Sequence, residues 1–161
     1  MTETQTKSVS DIRKLIPKGK TFTLIAGCFD LLHVGHISLL EYASNLEDIL
    51  VVAVLSDRNI SEYKPGRPII NERQRSTMIA SVKFVDLTYI SDINPNGPET
   101  IEILQPNSVV FGQDTSSDRT ERWKNTIRRC SPCTRIHIFP RYTEEDVCTS
   151  QIIEKIKNTN I

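Results

Sequence analysis

Five short apolar runs, each too unbroken to alternate between a wet and a dry face, limit what this chain can fold into more than any other feature. They are Phe22 to Ala26 (FTLIA), Leu50 to Leu55 (LVVAVL), Leu87 to Ile90 (LTYI), Ser108 to Phe111 (SVVF) and Arg135 to Phe139 (RIHIF). A half-solvated strand shows period-two alternation, so these runs predict strands covered on both faces, as in a parallel sheet. Helical patterns stand between them. Ile37 to Leu46 carries Ile37, Leu40, Ala43 and Tyr42 near helical spacing. Asn71 is a good N-cap for a helix that buries Met78, Ile79, Val82 and Val85. Gly97-Pro98 introduces Glu99 to Leu104, Thr149 introduces Ser150 to Lys157, and a first helix, about Ser10 to Ile16, ends before Pro17 and Gly19. Strand and helix alternate, so the expected fold class is α/β, a doubly wound parallel sheet of five strands with helices on both faces.

At 161 residues the chain is expected to form one domain over 1–161, with 1–19 as an N-terminal helical extension. Such a length buries about 68–70% of the unfolded surface. Lys plus Arg and Asp plus Glu number 20 each, for a net charge of zero. That balance argues against a nucleic-acid partner and against attachment to anionic lipid by overall field. The longest aliphatic run, Ile49 to Leu55, is far too short to span a membrane. MTETQTKSVSDIRK has no apolar stretch of the secretory kind, and four Cys without an export signal do not suggest a disulfide framework. A cytoplasmic location is expected.

Ligands of doubly wound sheets bind beyond the carboxyl ends of the strands. The first such loop reads Gly27-Cys28-Phe29-Asp30-Leu-Leu-His33-Val-Gly35-His36 and runs directly into a helix. A helix N-terminus offers unpaired N–H groups and a positive dipole end, which attract phosphate. Gly27 is expected to let the chain leave the strand in a conformation other residues avoid, and Gly35 to let a ligand approach the backbone. His33 and His36, three apart, project to the same side of the first turn. Two imidazoles aimed at a triphosphate would stabilise charge moving onto a leaving pyrophosphate; a metal pair and core histidines are the alternatives.

GCFDLLHVGH resembles the His-x-Gly-His signature of the cytidylyltransferase-like nucleotidyltransferases, Rossmann-like enzymes that move a nucleotidyl group onto a phosphorylated acceptor. Three further blocks follow in the family's order: Lys64-Pro-Gly-Arg-Pro-Ile-Ile-Asn-Glu-Arg-Gln-Arg75, Phe111-Gly-Gln-Asp114 and Val147-Cys-Thr-Ser-Gln-Ile-Ile153. The likeness extends from about Asp11 to Ile156. It implies in-line attack on an α-phosphate of CTP or ATP, and Mg²⁺ carried by the triphosphate rather than a metal held by the protein. The product would be a CDP- or ADP-activated sugar, polyol or amino alcohol. The resemblance gives His33, His36 and Lys64 as catalytic residues. It gives Gly27, Cys28, Phe29, Asp30, Gly35, Asp114, Arg141, Thr149 and Ser150 as nucleotide and phosphate contacts, and Lys64 with Arg75 as acceptor contacts. A homodimer is what the family suggests.

Each residue also has a plainer reading. Lys64 suits an exposed turn. Asp30 caps the loop, Asp114 caps a helix, and Thr149 or Ser150 caps the last helix. Arg67 and Arg73 are expected to be solvated surface charge, and His137 structural. Cys148 replaces the family's first Ser, and the Tyr142–Asp146 spacer is long; both fit a catalytically silent nucleotide-binding module. Cys130-Ser-Pro-Cys133 lacks the second pair a structural zinc wants, so a turn with two incidental thiols is preferred to a zinc or redox protein. The stretch Thr115 to Arg129, with Trp123, either shapes an acceptor pocket or forms a solvated helix. Lys18-Gly-Lys20 after the first helix, Gly-Cys-Phe-Asp and Gly66-Arg-Pro68 look most like heptose-1-phosphate adenylyltransferases, while Phe29 to His33 and Thr149 to Ile153 are equally similar to glycerol-3-phosphate and phosphoethanolamine or phosphocholine cytidylyltransferases.

Overall fold

A computed structural model describes residues 8–113, 116–140 and 147–159. Five parallel strands form one sheet: β1 (Phe22–Gly27), β2 (Ile49–Leu55), β3 (Leu87–Ser91), β4 (Ser108–Gly112) and β5 (Arg135–Phe139), in the order β3-β2-β1-β4-β5. All five coincide with the apolar runs, extended by a residue at some ends. The reason is the one the runs imply, because Leu50, Val51, Val52, Ala53 and Val54 of β2 are fully buried in succession. Alternate residues serve opposite layers. Leu24, Val51, Ala53, Val109 and Phe111 face one core, and Ile25, Val52, Val54 and Val110 face the other.

Val9, Ile12 and Ile16, contributed by α1 (Val9–Leu15) and its C-cap, lie in the first core beside Ile101 and Leu104 of α5 (Pro98–Leu104) and Ile127 of α6 (Ser117–Cys130). The N-terminal helix is therefore built into the sheet's cover rather than appended to it. On the other face, α2 (Val34–Ser44) buries Leu40 and Ala43, and α4 (Glu72–Ala80) buries Ile79. Asn71 caps α4 as expected, its side chain accepting from the Gln74 N–H at 3.0 Å. Inside α4 the expected burial shifts, because Arg75 and Ser76 are buried while Met78 is only half-buried. A one-turn helix, α3 (Asp57–Ser61), follows β2 and had no readable periodicity. The last helix, α7 (Thr149–Asn158), has Cys148 as its N-cap, so Thr149 and Ser150 lie within the first turn rather than at the cap.

The chain passes from β1 to β2 and β3 on one side of the sheet, then returns to β4 on the other side of β1. That reversal opens a crevice at the carboxyl ends of β1 and β4.

Candidate active site

A cleft of about 620 Å³ occupies that crevice, floored by Ala26, Gly27, Phe111 and Gly112 and walled by the N-termini of α2 and α7. The loop from β1 into α2 is shaped by two non-glycine residues with left-handed backbone, Phe29 (φ 50°) and Leu31 (φ 49°). Gly27 is required for a different reason from the expected one. A Cβ there would stand 2.9 Å from the Phe29 ring, which is buried against it. Gly35 likewise leaves room for the His33 ring, 3.1 Å from where its Cβ would be. Both glycines accommodate side chains of the motif itself.

The His33 and His36 rings lie with centroids 3.9 Å apart and planes tilted by 32°, and Phe29 meets His36 edge-on at 5.5 Å. His36 is pushed down to about 3: burial disfavours its charged form, the neighbouring His33 adds to this, and Asp30 opposes it. Its Nδ1 lies 3.4 Å from the His33 backbone N–H, a long contact in which it is the acceptor. A neutral ring accepting at Nδ1 carries its proton on Nε2. His36 is thus a neutral hydrogen-bond donor rather than a cation. Lys64, exposed in the turn after α3, lines the cleft, where its N–H donates to Ile60 O at 2.9 Å. Thr149 donates its hydroxyl to the Asp30 carbonyl at 3.0 Å, binding α7 to the histidine loop. Cys148 and Ser150 also line the cleft, so two helix N-termini converge on it.

Asp30 is a junction. Its carboxylate, fully buried, accepts from Arg67 Nε at 2.7 Å and from the Ile69 and Ile70 N–H groups at 2.9 and 3.0 Å. Burial pushes this carboxyl up, but the two backbone donors and Arg67 outweigh it and hold it below its ordinary value. A carboxylate so engaged serves the loop's architecture from the edge of the cleft, which Asp30 also lines. Arg67, expected in solvent, is instead a nearly buried partner of Asp30 that also lines the cleft; Arg73 is exposed as expected.

Arg75 also departs from its expected role. Its guanidinium is wholly buried and donates to the carbonyls of Ile70 (2.8 Å), Cys28 and Leu55 (2.8 Å) and to Asp57 Oδ1 (2.7 Å). With these donors engaged, Arg75 holds the histidine loop from beneath and is not among the residues that line the cleft. Its helical spacing held the clue, since Arg75, Ile79 and Val82 lie at i, i+4 and i+7 on the inward face. Cys28 lines the cleft, and burial pushes its thiol up, with Arg75 opposing.

Sequence reasoning did not single out Tyr63 or Arg119, and it left Trp123 undecided. All three line the cleft, the last two from α6, so the stretch expected to be either pocket or solvated helix is partly a wall. Arg119, Trp123 and Ile127 recur every four residues, which is the signal for that inward face. His137 sits within β5, its Nε2 3.2 Å from Ser108 Oγ, away from the cleft. Cys130 and Cys133 are free thiols at the end of α6 and in the turn beyond it. Asp114 and Arg141 lie outside the described residues.

Residues 24–155 match the family model described as cytidylyltransferase-like. The chain is 36% identical over 163 residues to the bifunctional protein HldE of Campylobacter jejuni (strain RM1221), covering 94% of this chain and 33% of that protein. It therefore spans about a third of that relative's length. It is 34% identical to the FAD synthase of Thermococcus sibiricus, over 88% of this chain and 96% of the enzyme. A lipopolysaccharide core biosynthesis protein from Thermoplasma volcanium superposes with a TM-score of 0.66 at 27% identity, covering 78% of this chain and all of that one. Pantothenate synthetase from Thermus thermophilus shares the fold alone, at TM-score 0.58 and 17% identity, over 91% of this chain and 66% of that one. Among the described residues, no helix is long and apolar enough to cross a membrane.

Proposed function

The chain belongs to the cytidylyltransferase-like family of nucleotidyltransferases, and within it we propose that this protein transfers AMP from Mg²⁺-ATP to a small phosphorylated acceptor. The observation that carries the reading is the close, tilted His33–His36 pair, set between two helix N-termini in a cleft large enough for a nucleotide. ATP is preferred to CTP because one relative that nearly matches this chain in length is an FAD synthase, whose product contains an adenylyl group. The motif likeness to heptose-1-phosphate adenylyltransferases agrees with that choice.

In the proposed reaction an oxygen of the acceptor's phosphate dianion attacks the α-phosphorus. The bond from that phosphorus to the bridging oxygen breaks in line, and pyrophosphate departs with the bonding pair. No proton has to move, so catalysis rests on position and charge neutralisation. Neutral His36 donates its Nε2–H to an α-phosphate oxygen whose negative charge grows in the transition state. His33 lies against it and faces the same phosphates. Lys64, a mobile point charge on its turn, follows the phosphate oxygens through the displacement. The first-turn N–H groups of α7, with the Ser150 hydroxyl, receive the β- and γ-phosphates. Mg²⁺ would enter with the triphosphate and offset part of its charge, since the described residues hold no carboxylate cage for it.

Calorimetric titration with ATP and with CTP, each with Mg²⁺, tests the nucleotide. Pyrophosphate release from a panel of phosphorylated acceptors tests turnover. His36→Ala is expected to lose about 100-fold or more in turnover, the usual cost of removing one preorganised transition-state donor. Full activity in a correctly folded His36→Ala variant would overturn the mechanism. Nucleotide binding without turnover on any acceptor would make the protein a silent binding module.

A further inference from the structure

Beside the cleft, a second chamber of about 200 Å³ opens between the carboxyl end of β2 and the inner face of α6. Asn59, Asn96, Tyr63, Arg119 and Trp123 form its distinctive walls, and the last three also line the main cleft. Arg119 stands at the junction. Its guanidinium carbon is 4.9 Å from the Tyr63 ring centroid and 5.8 Å from that of Trp123. No Asp or Glu among the described residues forms an ion pair with it. Lys64 Nζ approaches the Tyr63 ring as well, at 5.7 Å.

A pair of aromatic faces at these distances is what binds a quaternary ammonium. Here the chain's own cation already fills the space between them. The remaining polar groups are neutral amides. Asn59 donates Nδ2–H to the Ser91 carbonyl at 3.1 Å, leaving its Oδ1 as an acceptor. Asn96 lines the chamber, and its carboxamide makes no hydrogen bond to a described residue, so it is open to what the chamber holds. An amide that faces the chamber takes its partners from whatever fills it, and hydroxyl groups, which both donate and accept, match both of its ends. The chamber is also smaller than the roughly 300–1,000 Å³ that drug-sized ligands occupy, which favours a compact body over a fused-ring one.

We infer that Arg119 is the specificity-determining residue of the acceptor site, and that the site takes a compact polyhydroxylated phosphate with an uncharged body and rejects cationic ones. This rests on the nucleotidyl-transfer reading, which requires the acceptor's phosphate to lie at the junction and its body in the side chamber. The guanidinium edge between the rings then receives the phosphate, while its charge and position exclude a choline or ethanolamine head.

Trp123 is the only tryptophan in the chain, so its fluorescence reports this wall directly. Titrations with glycerol 3-phosphate, a hexose 1-phosphate and phosphocholine are made with and without Mg²⁺ and α,β-methylene-ATP. In the wild type the two polyol phosphates should bind at least about tenfold more tightly than phosphocholine, a gap of about 1.4 kcal/mol. Arg119→Gln should weaken the polyol phosphates about tenfold or more and narrow that gap. Arg119→Lys, which keeps the charge but loses the planar stack, should fall between. The proposal is overturned if Arg119→Gln, folded by circular dichroism, binds polyol phosphates as the wild type does. Equal wild-type affinity for phosphocholine, or no response to either polyol phosphate, would also overturn it. Loss of the nucleotidyl-transfer reading is seen separately, as failure of wild-type protein to bind ATP in calorimetry, and the nucleotide-free titrations still read the chamber.

Discussion

His36 sets up a quantitative expectation. The folded ring is neutral down to about 3, while an unfolded His takes up a proton near 6.5. As pH falls below 6.5 the unfolded chain gains a proton that the folded chain refuses, so stability falls with pH from about 6.5 down to the folded value. At pH 5 the unfolded ring is favoured by RT ln(1 + 10^1.5), about 2 kcal/mol, and at pH 7.5 by almost nothing. That figure holds for any folded value well below 5. Urea unfolding of the wild type and of His36→Gln, measured in parallel from pH 7.5 to 5, isolates the contribution. The wild type should lose about 2 kcal/mol more than the variant across that interval. Nitrogen NMR should show a neutral His36 with its proton on Nε2 throughout. A His36 resonance titrating with a midpoint near 6.5, or a stability difference that stays flat with pH, would refute both the buried neutral ring and its role as an uncharged donor.

Gly27→Ala should cost about 1–3 kcal/mol by forcing the Phe29 ring aside, and a Gly27→Ala/Phe29→Leu pair should recover part of that loss in urea denaturation. Arg75→Lys keeps the charge but not the planar fork, so it should lower stability by about 3 kcal/mol; unchanged stability with a raised acceptor KM would instead mean that Arg75 contacts substrate. Asp30→Asn turns a committed acceptor into a group that also donates, and should cost about 2–3 kcal/mol. Because the folded Asp30 carboxyl sits below its ordinary value, its stabilisation is present above the unfolded pKa and is lost as pH falls through the folded one. Acid unfolding of the variant should therefore be shallower than that of the wild type.

The five strands were legible because burial on both faces leaves an unbroken apolar run, and α2 and α4 because each pairs a spacing pattern with a flanking loop or cap signal. The helix α3 was not, since one turn of Asp-Arg-Asn-Ile-Ser shows no period and is held from outside by Glu72, whose carboxylate accepts from the Asp57 N–H at 2.7 Å. The histidine motif was readable as chemistry. The purpose of its glycines was not, because a sequence displays a missing side chain without displaying the ring that needs the space. The two arginines exchanged places for a related reason. Arg67 and Arg75 both flank the second motif, and only the three-dimensional path of residues 67–70 over Asp30 tells which guanidinium meets the cleft. Arg119 was not singled out and Trp123 was left between two readings because their partner, Tyr63, is more than 50 residues away in the chain.

Asp30 joins three stretches of chain that are far apart in sequence: its carboxylate gathers residues 67–70, and its carbonyl receives Thr149. The turn bearing Tyr63 and Lys64 leads into the first of those stretches, and α7 begins at the last. In the proposed reaction, a nucleotide settling on α2 and α7 would steady, through one residue, the segment assigned to the second substrate. Linkage makes such an effect mutual: whatever affinity ATP lends the acceptor, the acceptor must return to ATP in equal measure.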